Sequence, residues 1–219
     1  MDLEDLRLAV YHSFITAGCP PDTVELASGF GVDASEVTAG LRRLADVRQV
    51  VLGDDEAIVM AHPFAATPLG FSAMGASTLW WGGCAWDSFA LPHLLDDESS
   101  VLVATRCPTC ALPMAWDVNR HEPPIGDQVA HFLVPVAHIW DDVVHACAHQ
   151  RIFCSSACID AWLAETGNTR GSVLDLATLW RLAAHWYDGR LDRGYVRREP
   201  SAAAQYFREV GLTGAFWGL

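Results

Sequence analysis

Two close pairs of cysteines, Cys107-Pro-Thr-Cys110 and Cys154-Ser-Ser-Ala-Cys158, stand far apart in the chain and constrain its fold more than any other feature. Shared by one metal ion, the four sulfurs would pin the first loop against the start of the helix that the second pair enters. Four thiolates suit tetrahedral zinc, and such a site would staple its domain; reduced core thiols are the alternative. Seven cysteines occur in all (19, 84, 107, 110, 147, 154 and 158), an odd number. The N-terminus, Met1-Asp-Leu-Glu-Asp5, is acidic where an export signal would be basic. Metal binding or thiol chemistry is therefore expected ahead of disulfides, in a cytoplasmic protein.

With 219 residues, 51% of them hydrophobic and 19% charged, the chain can build a real core, as one large domain or a small one followed by a larger one. The formal net charge is −13, and all 14 basic residues are arginine. Such acidity argues against nucleic acid or an anionic membrane as partner. No apolar stretch reaches the roughly 18–20 residues that span a bilayer.

Apolar residues at Leu6, Val10, Phe14 and Ile15 mark a helix over Leu3 to Ala17, ended by Gly18-Cys-Pro-Pro. A short helix follows near Thr23–Ser28. Asp33-Ala-Ser-Glu36 opens a third with an expected capping box. Residues 49–60 suggest two short strands around Gly53-Asp-Asp. Three helices and a β-wing make a winged-helix pattern, assigned to a domain over residues 1–75. Residues 1–60 hold 11 acids against 4 arginines, so a structural or substrate-covering role is expected there rather than DNA binding. Residues 61–78 read as a connector with some extended structure. A mixed α/β catalytic domain is assigned to 76–219, with a helix over 84–95, strands near 100–105, 112–118 and 128–134, and helices near 154–165, 173–187 and 202–210. The class is α+β.

Cys84 and Asp87, in Trp81-Gly-Gly-Cys84-Ala-Trp-Asp87-Ser, share one face of that first helix. The helix N-terminus favours thiolate at Cys84, while the Asp87 carboxylate opposes it, so the pair can share a proton. The bland reading is a buried structural cysteine beside a surface aspartate. Cys147 follows in His145-Ala-Cys147-Ala-His149. Were the fold to bring it to the same spot, two sulfurs and one acid would suit a soft metal and a proton transfer. Trp86 could line an apolar pocket beside them. Phe153-Cys-Ser-Ser-Ala-Cys158-Ile-Asp-Ala-Trp162 gives the second cysteine pair the look of a treble-clef zinc site.

The segment Leu79-Trp-Trp-Gly-Gly-Cys84-Ala-Trp-Asp87-Ser-Phe-Ala-Leu-Pro92 resembles the organomercurial (alkylmercury) lyase family, in which a Cys-Ala-Leu-Asp element follows an aromatic stretch and precedes a proline-terminated helix. Trp86 stands where that family often has leucine. Residues 131–147 resemble the segment ending in the family's second catalytic cysteine, and Cys107 resembles its further, structural cysteine. The resemblance implies a winged-helix-like N-terminal domain and Cys84, Asp87 and Cys147 as catalytic residues. It also implies protonolysis of a carbon–mercury bond to hydrocarbon and Hg(II), with Cys84 and Cys147 holding mercury and Asp87 shuttling the proton. No cofactor is needed for that chemistry. An external low-molecular-weight thiol or a mercuric reductase would take the product. Cys110, Cys154 and Cys158 are additions to the family pattern; with Cys107 they are the expected zinc ligands. Two other readings stay open: a relative repurposed for another organic substrate in secondary metabolism, and a cysteine-rich metal-binding regulatory protein.

Overall fold

Local capping sets the helical starts. In the computed structural model, which describes residues 1–219, Asp2 accepts from the backbone N–H groups of Glu4 and Asp5 to open α1 (Leu3–Ala17). Gly18, in the left-handed region at φ 73°, closes that helix. Helix α2 (Thr23–Phe30) carries a full capping box between Asp22 and Glu25. Helix α3 (Ala34–Asp46) does not, which corrects the expectation: Asp33 makes no side-chain cap, and Glu36 instead binds the N-terminal amine at 2.6 Å. The long-range ion pair captures the carboxylate that would have closed the box.

A hairpin follows, β1 (Val51–Leu52) and β2 (Ile58–Ala61), as the spacing predicts. The segment read as a connector with some extended structure is more regular than that. It holds β3 (Phe64–Ala65) and β4 (Phe71–Met74), which with β5 (Leu79–Gly82), β6 (Ser100–Arg106) and β7 (Pro113–Asn119) complete a seven-stranded antiparallel sheet ordered β1-β2-β3-β5-β4-β6-β7. Residues 75 and 76, where the two domains were divided, lie in the turn between the paired strands β4 and β5. One sheet therefore runs across the division.

Strands β6 and β7 alternate strictly, with Val101, Val103, Met114, Trp116 and Val118 buried and their neighbours facing out. On the buried face lies α4 (Ala85–Leu94), whose residues Ala85 to Pro92 are all buried. Such an all-round apolar helix belongs at the centre of a molecule. It touches β4 to β7 on one side and α7 (Leu176–Ala184) on the other.

A second, three-stranded sheet orders β10 (Ser172–Asp175), β8 (Val129–Phe132) and β9 (Gln150–Phe153). The segment beginning at Val173 is thus strand before it is helix; Asp175, accepting from the Thr178 N–H, starts α7 three residues later than the apolar pattern suggests. Helix α5 (Val143–Ala148) precedes β9, α6 (Ser156–Thr166) follows it, and α8 (Pro200–Glu209) packs near the C-terminus. No helix is long and apolar enough to cross a membrane.

Candidate active site

Cys84 is the N-cap of α4, and its sulfur accepts a hydrogen bond from the Asp87 N–H at 3.3 Å. The approach to this helix is tight. A Cβ on Gly82 would lie 2.0 Å from Ser88 Oγ, and one on Gly83 would lie 2.3 Å from Asp87 Oδ2. Only glycine lets the strand end pass so close to the first turn of α4.

Cys147, on the short helix α5, is brought to the same place. Its thiol and that of Cys84 open on one cavity of about 80 Å³ together with Asp87. All three are buried: Cys84 and Asp87 are 2% exposed and Cys147 is 3% exposed. Trp86 lines the same cavity, and its indole N–H donates to the Leu182 carbonyl.

Three neighbours had no signal in local sequence. The Tyr187 hydroxyl donates to Asp87 Oδ1. The other carboxylate oxygen, Oδ2, is buried without a partner. His62 places Nε2 3.5 Å from the Cys147 sulfur, and the ligand atoms of His62, Asp87 and Cys147 lie within 4.8 Å of one another. Arg190 is 2% exposed and bonds the His62 carbonyl and Gln49 Oε1. Its guanidinium sits over the rings of Tyr11, Tyr187 and Tyr195. These residues come from the β2–β3 turn and from the loop after α7, so no spacing motif could join them to Cys84.

Burial sets the protonation states. It raises Asp87 to about 6, against the Tyr187 and Cys84 hydrogen bonds and the Arg190 charge. Burial, the Cys147 contact and the Asp87 charge push the Cys84 thiol well up. At Cys147 the Cys84 contact pulls down, yet burial and Asp87 outweigh it and the thiol is raised. Burial, with Arg190 and Arg197, lowers His62 to about 3. At neutral pH the resting site thus holds two thiols, a carboxylate and a neutral imidazole.

Four of the other five cysteines meet elsewhere. The sulfurs of Cys107, Cys110, Cys154 and Cys158 all lie within 4.8 Å of one another. Cys19 is exposed and apart, and every cysteine is free.

A buried dithiol with an adjoining carboxyl, set at the start of a central helix between two sheets, defines a thiol-dependent enzyme class. The family model described as alkylmercury lyase matches residues 64–188, more than half of the chain. The chain belongs to the alkylmercury lyase family. A solved structure described as the mercury-bound form of MerB2 aligns with a TM-score of 0.62 at 18% identity, over 83% of this chain and 87% of that one. At that identity the likeness shows the mixed α+β fold. A search of curated proteins finds no match to the sequence.

Proposed function

We propose that this protein cleaves carbon–mercury bonds by protonolysis, with Cys84 and Cys147 as the mercury ligands and Asp87 as the proton shuttle. Family membership gives the reaction class. The observation that supports the residue roles is the meeting of Cys84, Asp87 and Cys147 in one buried cavity.

Mercury is soft, so sulfur is its preferred donor. One thiol displaces the substrate's original ligand X, which leaves with that thiol's proton. The second thiol passes its proton to the Asp87 carboxylate as its sulfur takes the metal. Two thiolates then load electron density onto mercury and weaken its bond to carbon. Asp87 returns the proton to that carbon, hydrocarbon departs, and Hg(II) stays on the two sulfurs. In sum, R–Hg–X and two thiols give R–H, H–X and a bis-thiolate mercury, with Asp87 ionised at both ends. The resting protonation states match this inventory.

Tyr187 ties one carboxylate oxygen, leaving Oδ2 as the atom that carries the proton. Gly83 leaves room for it. A carboxyl fixed against the reacting carbon acts at effective molarities of about 10⁵ M or more, which solvent protons at neutral pH cannot match. His62 orients the Cys147 S–H, and the Arg190 charge offsets the negative charge that builds as both sulfurs ionise.

Residues 1–75 would serve as a winged-helix-like cover and residues 76–219 as the catalytic body, with His62 and Met60 reaching from the first to the second. The reaction requires no cofactor. A low-molecular-weight thiol or a mercuric reductase, in the cytoplasm, would remove the product. A repurposed relative acting on another organic substrate is not favoured, since the dithiol and carboxyl are intact.

Headspace analysis tests the proposal. The purified protein with excess external thiol is expected to release methane from methylmercury and benzene from phenylmercuric acetate. Absence of both hydrocarbons would overturn it.

A further inference from the structure

Outside the catalytic cavity, the turn from β6 to β7 and the junction of β9 with α6 are drawn together by their cysteines. Cys107 and Cys110 flank a tight loop closed by the Cys107 N–H to the Leu112 carbonyl and the Ala111 N–H to the Cys107 carbonyl, both at 3.0 Å. Ala111 sits in the left-handed region at φ 58°. That conformation is unfavourable for a non-glycine residue, and it persists where other contacts fix the loop. On the facing side Cys154 follows β9, and Cys158 lies in the first turn of α6, where Ser155 caps its N–H. Thr109 Oγ1 joins the halves by donating to the Cys158 carbonyl at 2.6 Å.

The donor set is uniform. All four sulfurs lie within 4.8 Å of one another, with Cys110 and Cys154 at 3.5 Å. A tetrahedron with bonds of about 2.3 Å places its sulfurs about 3.8 Å apart, so the four already stand close to the required spacing. Cys107 is buried at the floor and Cys110 is exposed at the rim, which leaves an entry path. We propose that Cys107, Cys110, Cys154 and Cys158 bind one structural zinc ion that fastens the β6–β7 turn of the large sheet to the start of α6.

Four protein ligands leave no open position, so this ion does no chemistry. Each thiol releases its proton to solvent as its sulfur takes the metal. The consequence for the active site is mechanical. Strand β9 joins Cys154 directly to the end of α5, which carries Cys147, while β6 and β7 lie against α4, whose first turn carries Cys84 and Asp87. A clip between β7's entry turn and β9's exit thus holds the two halves of the dithiol at a fixed separation.

The test is metal analysis of the whole protein purified from cells grown without mercury, paired with cysteine alkylation read by mass spectrometry. One zinc per chain is expected, with these four cysteines protected. A zinc chelator should expose them and lower the unfolding temperature. Cobalt substituted into the wild-type chain should give sulfur-to-metal charge-transfer bands and the visible spectrum of a tetrahedral thiolate site. Cys110→Ser with Cys158→Ser should lose the zinc; should that variant fail to fold, the wild-type cobalt spectrum and alkylation pattern still decide. Iron in place of zinc, a Cys110–Cys154 disulfide, or a metal-free folded protein whose four thiols alkylate freely would each overturn the proposal. None of these readouts depends on turnover.

Discussion

At the residue scale the roles proposed for the two sulfurs and the acid can be told apart by substitution. Cys84→Ser or Cys147→Ser removes a soft donor that oxygen cannot replace, and hydrocarbon release is expected to vanish in a headspace assay. Asp87→Asn keeps the shape and the Tyr187 contact but cannot carry a proton. Mercury should still bind, and single-turnover cleavage should slow by at least ~100-fold; unchanged cleavage would place the proton elsewhere. The same substitution should stabilise the fold. Burial raises Asp87 from 3.8 to about 6, so the folded state holds its proton more tightly than the unfolded chain. The penalty is absent below pH 3.8, grows between the two values, and is complete above about 6, where it amounts to about 3 kcal/mol. Asp87→Asn should therefore melt higher than wild type at pH 8 and equally at pH 3; equal melting at both would mean the carboxylate is not destabilised. In the proposed cycle Asp87 starts ionised, so kcat/KM should fall as pH drops below about 6. Cys84 and Asp87 were legible as a pair from their residue types and one-turn spacing, whereas Cys147 was singled out by the resemblance of residues 131–147 to the family; the three line one cavity. Tyr187, His62 and Arg190 were not, since each reaches the site from a loop with no pattern of its own.

At the element scale the start of α4 is the decisive construction. The cap at Cys84 and the two glycines before it set the thiol and the carboxyl on one turn. Gly83→Ala should displace Asp87 Oδ2 and lower turnover at least ~10-fold, since an ångström of misplacement is costly in an oriented site. Gly29→Ala, in an exposed turn of α2 with nothing within 4 Å, should leave turnover unchanged and stabilise by up to ~1 kcal/mol. Comparable activity in the two variants would remove the close approach from the mechanism. Helices α1, α2, α4 and α8 were readable from apolar period and breakers. Strands β3 and β4 were not, because they are short, lie among Pro63, Pro68, Gly70 and Gly75, and form only by pairing with β5, β2 and β6. Strand β10 was hidden for a related reason: its apolar residues run straight into the α7 stripe, and Asp175 marks the change only by its cap.

Across the whole molecule, one sheet carries the N-terminal hairpin and the catalytic strands, and a second sheet delivers Cys147. Such register is set by pairings between distant segments, which residue spacing does not encode. Three histidines tie this packing to pH. Burial, reinforced by nearby positive charge, lowers His62 to about 3 and His93 and His131 to about 4. The unfolded chain takes up protons at about 6.5 where the folded one does not, so stability should fall as pH drops from 6.5 toward 4. This opposes the Asp87 effect, and with three groups against one the urea midpoint should be lower at pH 5 than at pH 7. An equal or higher midpoint at pH 5 would show that these imidazoles are not held neutral.

The clamp itself is best tested by mixing the protein with a several-fold excess of phenylmercuric acetate in the absence of any external thiol, and counting benzene and retained inorganic mercury. Two sulfurs that keep the product between them give a burst of one benzene per chain, then nothing, with one Hg(II) held, and Cys84→Ser or Cys147→Ser gives no burst. Sustained turnover without added thiol, or a full burst from either serine variant, would contradict a mercury ion gripped by Cys84 and Cys147.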